Sequence, residues 1–230
     1  MKSIDYGILL HRSPYSNSSL LVSFFTLKNG LQKFIFKGGR KKAAGLFPIA
    51  VTEITYYGRN INLLNITEAE LLVPSTFQFD PIKSTIAFFM AEVIRKCVHV
   101  GDSDPNLFLF LKAYSESLEK EKDLSLFPLE FLINMSEKLG FKPLIENGDM
   151  SIFNLDAGVF QHTHSSESRT FSGSGVDLIK EVLENNNGTK LKNESAKREA
   201  LDVLLNYFSI HVPHFKKLES YEIVKEILSA

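Results

Sequence analysis

Between residues 28 and 42 the chain places Lys28, Lys33, Lys37, Arg40, Lys41 and Lys42, with no acidic side chain among them. On an extended strand, alternate side chains share a face. Lys33, Ile35 and Lys37 then point one way, and Phe34 and Phe36 point the other way, into a core. Lys33 and Lys37, about 13 Å apart at ~3.3 Å per residue, would face solvent. Gly38 and Gly39 follow, and glycines let backbone amides approach a ligand closely. Arg40, Lys41 and Lys42 are expected on a flexible loop beyond them. A solvated basic face beside such a loop suits a phosphate backbone, because each phosphate neutralised releases counterion and makes binding favourable and salt-dependent. Arg59 adds a cation in a turn next to Tyr56 and Tyr57. One of those two rings must point outward if the other points inward, which offers a stacking surface. The bland alternative is that these lysines only keep the protein soluble. Six basic and no acidic residues in fifteen, in a chain of net charge −1, favour a polyanion.

Other chemistry is sparse. Gly38-Gly39-Arg40-Lys41-Lys42-Ala43-Ala44-Gly45 is superficially like a phosphate loop, but it lacks the G-x-x-x-x-G-K-[ST] spacing and the hydroxyl that would meet magnesium. No G-x-S-x-G, H-E-x-x-H or G-x-G-x-x-G occurs. Cys97, the one cysteine, falls on an apolar helical stripe, where a thiol is structural rather than reactive. His162 and His164 form one close pair and His211 and His214 another, without a carboxylate or thiolate cluster to complete a metal site.

The elements that must position the basic run are strands. Short apolar stretches at 4–11, 20–27, 31–37, 49–57 and 62–72 are separated by turn residues, including Asn29-Gly30, a hairpin signal. Five short strands in under 80 residues, with no helix of ordinary length, suggest a small closed barrel, and such barrels commonly bind nucleic acid. After Pro81 the period becomes helical. Ile82, Ile86, Phe89, Met90, Val93, Ile94 and Cys97 share one stripe. Further helices are expected at 107–118, 126–139 (capped by Gly140), 178–183, 201–212 and 221–228. Between them, 152–160 reads as a hairpin inside a Gly-, Ser- and His-bearing interruption. The fold expected is α+β with two domains: a five-stranded barrel over 1–80, then a helical domain over 81–230 with an irregular insertion at 144–175.

The chain has 230 residues, 44% of them apolar and 23% charged, so global disorder is not expected. No stretch approaches the ~18 apolar residues of a membrane span, and no signal core follows Met1-Lys2. A cytoplasmic protein without disulfides is expected. The charge is uneven. Residues 1–80 hold 9 Lys/Arg against 5 Asp/Glu, a net of +4, and residues 81–230 hold 17 against 22, a net of −5. Such asymmetry points to an anionic partner for the first part.

The order of the short motifs resembles a known family. Gly7-Ile8-Leu9-Leu10, Ser13-Pro14-Tyr15-Ser16-Asn17-Ser18-Ser19-Leu20, Phe25-Thr26, Gly30-Leu31 and Phe36-Lys37-Gly38-Gly39-Arg40-Lys41 look like the start of the bacterial recombination-mediator family RecO. Leu46-Phe47-Pro48, Glu53-Ile54-Thr55-Tyr56-Tyr57-Gly58-Arg59, Glu92-Val93-Ile94, Leu139-Gly140-Phe141-Lys142-Pro143 and the tail around Phe215-Lys216-Lys217-Leu218-Glu219-Ser220 continue the likeness. The resemblance implies an N-terminal OB-fold and a helical C-terminal domain in a nucleoid-associated bacterial protein that is not an enzyme. It implies binding of single- and double-stranded DNA and annealing of complementary strands. It also implies loading of RecA, together with RecR, onto DNA coated with the single-stranded-DNA-binding protein, whose acidic C-terminal tail the family binds. By position, Lys37, Arg40 and Lys41 match the family's basic third-strand and loop segment, with Lys42 and Arg59 as its neighbours. Many members carry a four-cysteine zinc site after the Leu-Gly-Phe turn. Residues 144–175 contain no cysteine here, so no zinc is expected, and that segment must be held by packing or be mobile. Two other readings stay open: a scaffold whose barrel binds acidic protein tails with incidental DNA contact, and an enzyme built on Cys97 or a histidine pair.

Overall fold

The apolar alternation of the first 72 residues becomes five strands in the computed structural model, which describes residues 2–42, 46–58, 63–72, 75–146, 150–164, 168–184 and 193–228. They are β1 (Lys2–Pro14), β2 (Leu20–Thr26), β3 (Gly30–Phe36), β4 (Val51–Tyr57) and β5 (Leu64–Leu71). Hydrogen bonding runs β1-β2-β3-β5-β4 and closes from β4 back to β1. β3 and β5 pair in parallel, and the other barrel neighbours pair antiparallel. This is an OB-fold barrel. Its interior takes the inward residues of every strand, among them Leu9, Val22, Phe24, Phe34, Phe36, Ile54 and Ile66. Phe24 and Phe34 meet edge to face with ring centroids 6.0 Å apart, and each fully buried ring of this size contributes ~1.5–3 kcal/mol.

β1 is longer than its apolar stretch because it serves two neighbours. Residues 2–8 pair with β4, and residues 7–14 pair with β2. The register slips between Leu9 and His11. Side chains alternate with period two, so one extra residue sends everything after it to the opposite face. Leu9 points into the barrel, and His11 points out, opposite Ser23, which in turn stands opposite Lys33.

Half of the outer surface of this sheet is covered. Ile8, Phe25 and Leu31 form one lateral row facing outward, yet none is more than 7% exposed. The helix α2 (Pro81–Cys97) packs along β1 there, burying its stripe of Ile86, Phe89, Met90, Val93, Ile94 and Cys97. The segment after it bridges Leu31 through Val100. Gly30 is required at this contact. Its φ is +64°, and a Cβ would fall 1.9 Å from the Asp102 carbonyl oxygen.

α2 and α3 (Pro105–Lys120) start alike. Asp80 and Asp104 each accept two backbone N–H bonds as N-caps, with proline as the first helical residue. Near the end of α3, Glu119 clasps the start of a short 3₁₀ turn (Phe77–Phe79). Its carboxylate accepts the N–H groups of Thr76 and Phe77 at 3.0–3.1 Å, the Ser75 hydroxyl at 2.9 Å and the Thr76 hydroxyl. By packing, the chain divides into compact units at Lys122/Asp123, so α2 and α3 belong with the barrel, although the period of the sequence changes near residue 80. Periodicity reports the type of element, not the surface its stripe packs against.

The second unit holds α4 (Phe127–Lys138), α5 (Ser174–Leu183), α6 (Glu194–His211) and α7 (Tyr221–Ile227). α4 ends at Gly140 as expected, with the Phe141 N–H reaching back to the Ser136 carbonyl at 2.9 Å. The interruption at 144–175 forms the expected hairpin, β6 (Ile152–Asn154) and β7 (Val159–Gln161), plus an unanticipated third strand, β8 (Thr170–Phe171), on the other edge of β6. Packing holds it. Phe153 stacks on Phe160 with centroids 4.9 Å apart and meets Tyr207 of α6 at 5.1 Å. His211 donates from Nε2 to the Leu155 carbonyl at 2.8 Å, and Asp156 pairs with Arg169 across the turn.

Candidate nucleic-acid interface

β3 leaves the covered half of the barrel as it proceeds. Its outward residues are Leu31, buried; Lys33, exposed; and Ile35, half-buried; Lys37, the residue after the strand, is exposed. Phe34 and Phe36, between them, are 1% exposed and fill the barrel. The chain then turns at Gly38, whose φ of +70° is the left-handed region open to glycine. The expectation of a flexible loop is corrected here: residues Gly39–Lys42 form a single helical turn, α1. The Gly38 carbonyl accepts the N–H groups of both Lys41 and Lys42, at 3.1 and 3.2 Å. Gly39 is buried against Phe36, where a Cβ would lie 3.1 Å from the ring. The Arg40 N–H donates to the Ser18 carbonyl at 3.3 Å, which ties the turn to the β1–β2 loop. That loop is braced in its own right. The N–H groups of Tyr15 and Ser16 donate to the Ser19 carbonyl at 3.0 and 3.3 Å, and the Ser19 N–H donates to Ser16 Oγ at 3.2 Å.

Lys33, Lys37, Arg40, Lys41 and Lys42 are all exposed, and among the described residues none has an ion-pair partner. Lys28 is separate. It sits on the β2–β3 turn, at the opposite end of β3 from Arg40, and its Nζ donates to the Ile4 carbonyl at 2.8 Å. Its N–H, with the Asn29 side chain, satisfies the buried Asp5 carboxylate. The basic run thus splits into one cation that secures a turn and five displayed together.

The two tyrosines also separate. Tyr56 lies on the same face of β4 as Ile54, and its ring meets Phe34 edge-on at 5.3 Å. Its hydroxyl accepts from Asn29 Nδ2 at 3.2 Å. Burial, reinforced by the Asp5 charge, pushes the phenol above its ordinary value. Tyr56 is therefore half-buried core rather than a stacking surface, which corrects that expectation. Tyr57 is 43% exposed and lies on the lateral row that continues from Ile35 through Asn65. Arg59 lies outside the described residues. Two outward residues escaped the sequence reading. His11 needs the β1 bulge to reach the face. Tyr15, 55% exposed, could have been noticed as an aromatic ring in an otherwise polar loop.

Comparison with known proteins agrees with this arrangement. The family model described as "Recombination protein O N terminal" matches residues 1–74, and "Recombination protein O C terminal" matches residues 78–220. The chain belongs to the recombination protein O family. Proteins named DNA repair protein RecO resemble it along nearly their full length. That of Flavobacterium johnsoniae is 31% identical over 97% of this chain and 98% of its own. That of Flavobacterium psychrophilum is 28% identical over 97% and 98%, and that of Christiangramia forsetii 29% over 96% and 97%. The two RecO models meet between residues 74 and 78, at the end of the barrel strands.

The zinc site of many RecO members does not fit this chain. Cys97, the one cysteine, is buried on α2 in the first compact unit, and among the described residues no three metal-binding side chains cluster. His164 Nδ1 lies 2.8 Å from the Thr170 hydroxyl, and His211 is stacked on Phe141 with centroids 5.2 Å apart. Burial pushes the Cys97 thiol up to about 12, so it is not poised as a nucleophile. No helix among the described residues is long and apolar enough to cross a membrane.

Proposed function

We propose that this protein is a recombination mediator in DNA repair that holds the phosphate backbone of DNA on the open half of its barrel, through Lys33, Lys37, Arg40, Lys41 and Lys42, with Arg59 as a further candidate contact. The observation that carries this reading is the display of five exposed cations without ion-pair partners among the described residues, on one strand and one braced turn. Contacts of this kind carry no base information, so binding is independent of sequence. Both single and double strands present the phosphates that such a face needs. Screening the mutual repulsion of two strands on one cationic surface would promote annealing of complementary sequences. Family membership supports the wider role: acting with RecR to load RecA onto DNA coated by the single-stranded-DNA-binding protein, whose acidic tail it would also bind. That role requires no covalent step. The charge-reversed pair Arg40→Glu and Lys41→Glu weakens DNA binding and flattens its salt dependence. If an acidic peptide competes for the barrel better than an oligonucleotide at both low and high salt, the surface serves protein tails and this reading fails.

A further inference from the structure

The five cations can hold a backbone of either strandedness, but a ring beside them would distinguish an unpaired base from a paired one. The structure points to Tyr15. Its side chain is 55% exposed, and among the described residues its ring and hydroxyl have no partner. It stands immediately after Pro14, the last residue of β1, which pairs with Leu20, which in turn pairs with Phe36, the residue before Lys37. Two strand spacings of ~4.8 Å put the Tyr15 and Lys37 backbones about 10 Å apart. The loop that carries Tyr15 is closed on itself by the Ser19 carbonyl and fastened to the basic turn by the Arg40–Ser18 hydrogen bond at 3.3 Å. The ring and the cations are therefore displayed from one braced assembly rather than from two independent loops.

We infer that Tyr15 is a base-stacking residue and makes the basic face prefer unpaired over duplex nucleic acid. The inference rests on the proposed DNA-binding reading and adds the substrate form to it. Every base has a π-face, so stacking tolerates any sequence, whereas in a duplex the faces are already occupied by neighbouring bases. Tyr57 is exposed too, but its row crosses β3 at the half-buried Ile35, whereas the loop of Tyr15 is hydrogen-bonded to the basic turn itself.

The chain contains no tryptophan, so Tyr15→Trp places a single tryptophan at the site, whose emission can be excited selectively over that of the remaining tyrosines. Titrating that variant with single-stranded oligothymidylate should quench its fluorescence, and a duplex of equal length should quench it far less. In parallel, Tyr15→Ala should weaken single-strand binding, followed by anisotropy of a labelled oligonucleotide, by about fivefold or more. Duplex affinity and the salt slope should be unchanged, and Tyr15→Phe should behave as the parent. If anisotropy reports tight single-strand binding while the tryptophan is silent and Tyr15→Ala binds normally, stacking is overturned and the backbone-binding reading stands. If neither form of DNA binds the parent protein, both fall. Equal losses for single and double strands in Tyr15→Ala would also overturn the preference.

Discussion

Neutralising two of the five clustered cations should change how steeply DNA binding depends on salt, and the change can be worked out beforehand. If Lys33, Lys37, Arg40, Lys41 and Lys42 each neutralise one phosphate of a single strand, the slope of log K against log salt is about −3.5. The double variant Arg40→Gln and Lys41→Gln leaves three cations and a slope of about −2.1. Raising salt from about 50 to about 200 mM then weakens the parent about 130-fold and the variant only about 20-fold. Both side chains are exposed at the turn, and its backbone bonds to Gly38 and Ser18 do not involve them, so stability should stay within ~0.5 kcal/mol. Lys28→Gln is the internal control. It removes a charge from the same stretch of sequence, but that ammonium is engaged with the Ile4 carbonyl at the far end of β3, so the slope should stay as in the parent. Anisotropy of a labelled oligonucleotide across the salt series measures all three proteins. An unchanged slope in the Arg40/Lys41 variant, or a flattened one in Lys28→Gln, would refute the assignment of the phosphate contacts to this turn.

Three further outcomes test the frame around the site. For Glu119, burial would raise the carboxyl, but the hydrogen bonds from Thr76, Ser75 and Phe77 together outweigh it and hold it below its ordinary value of 4.5. That stability is present above pH 4.5 and is lost as pH falls through the lower folded value. Glu119→Ala should cost ~1–3 kcal/mol at neutral pH by urea denaturation, and should flatten the acid limb of the stability profile. Cys97, with its thiol pushed up to about 12, should resist alkylation in the native state and react readily once unfolded; reaction at the rate of a free thiol would contradict its burial. Phe153→Ala should cost ~3–5 kcal/mol in chemical denaturation because the ring is 0% exposed, whereas a zinc chelator should leave the melting temperature of the parent unchanged.

The barrel was legible wherever period two ran uninterrupted. Phe34 and Phe36 inward with Lys33 outward follows from alternation alone, and counting from Ile54 by twos would also have turned Tyr56 inward. What alternation cannot report is a register slip. The extra residue between Leu9 and His11 leaves no mark in composition, yet it decides that His11 shares the outer row of Lys33. Nor can local sequence report a bond between distant loops. Gly38-Gly39 followed by three cations reads as flexible, because the Ser18 carbonyl that receives the Arg40 N–H belongs to another connection. The helices were visible from their stripes, but the partner of each stripe was not, so the packing of α2 and α3 with the barrel required the structure.

Coverage of the barrel then accounts for the charge. Of the nine cations in residues 1–80, Lys28 is engaged at a turn and Lys2 lies 3.6 Å from Glu68. The helices and the segment after α2 bury the outer row of Ile8, Phe25 and Leu31, so a cation there would have to be desolvated, and apolar side chains stand in its place. The cations without partners therefore collect on the remaining open half and on the turn that continues it. A near-neutral chain can present a strongly basic face in this way without an excess of positive charge overall. The same logic says that reversing the exposed charge itself, by Lys33→Glu, should weaken DNA binding more than Lys33→Gln does; little or no effect of Lys33→Glu would mean that Lys33 lies outside the path of the backbone.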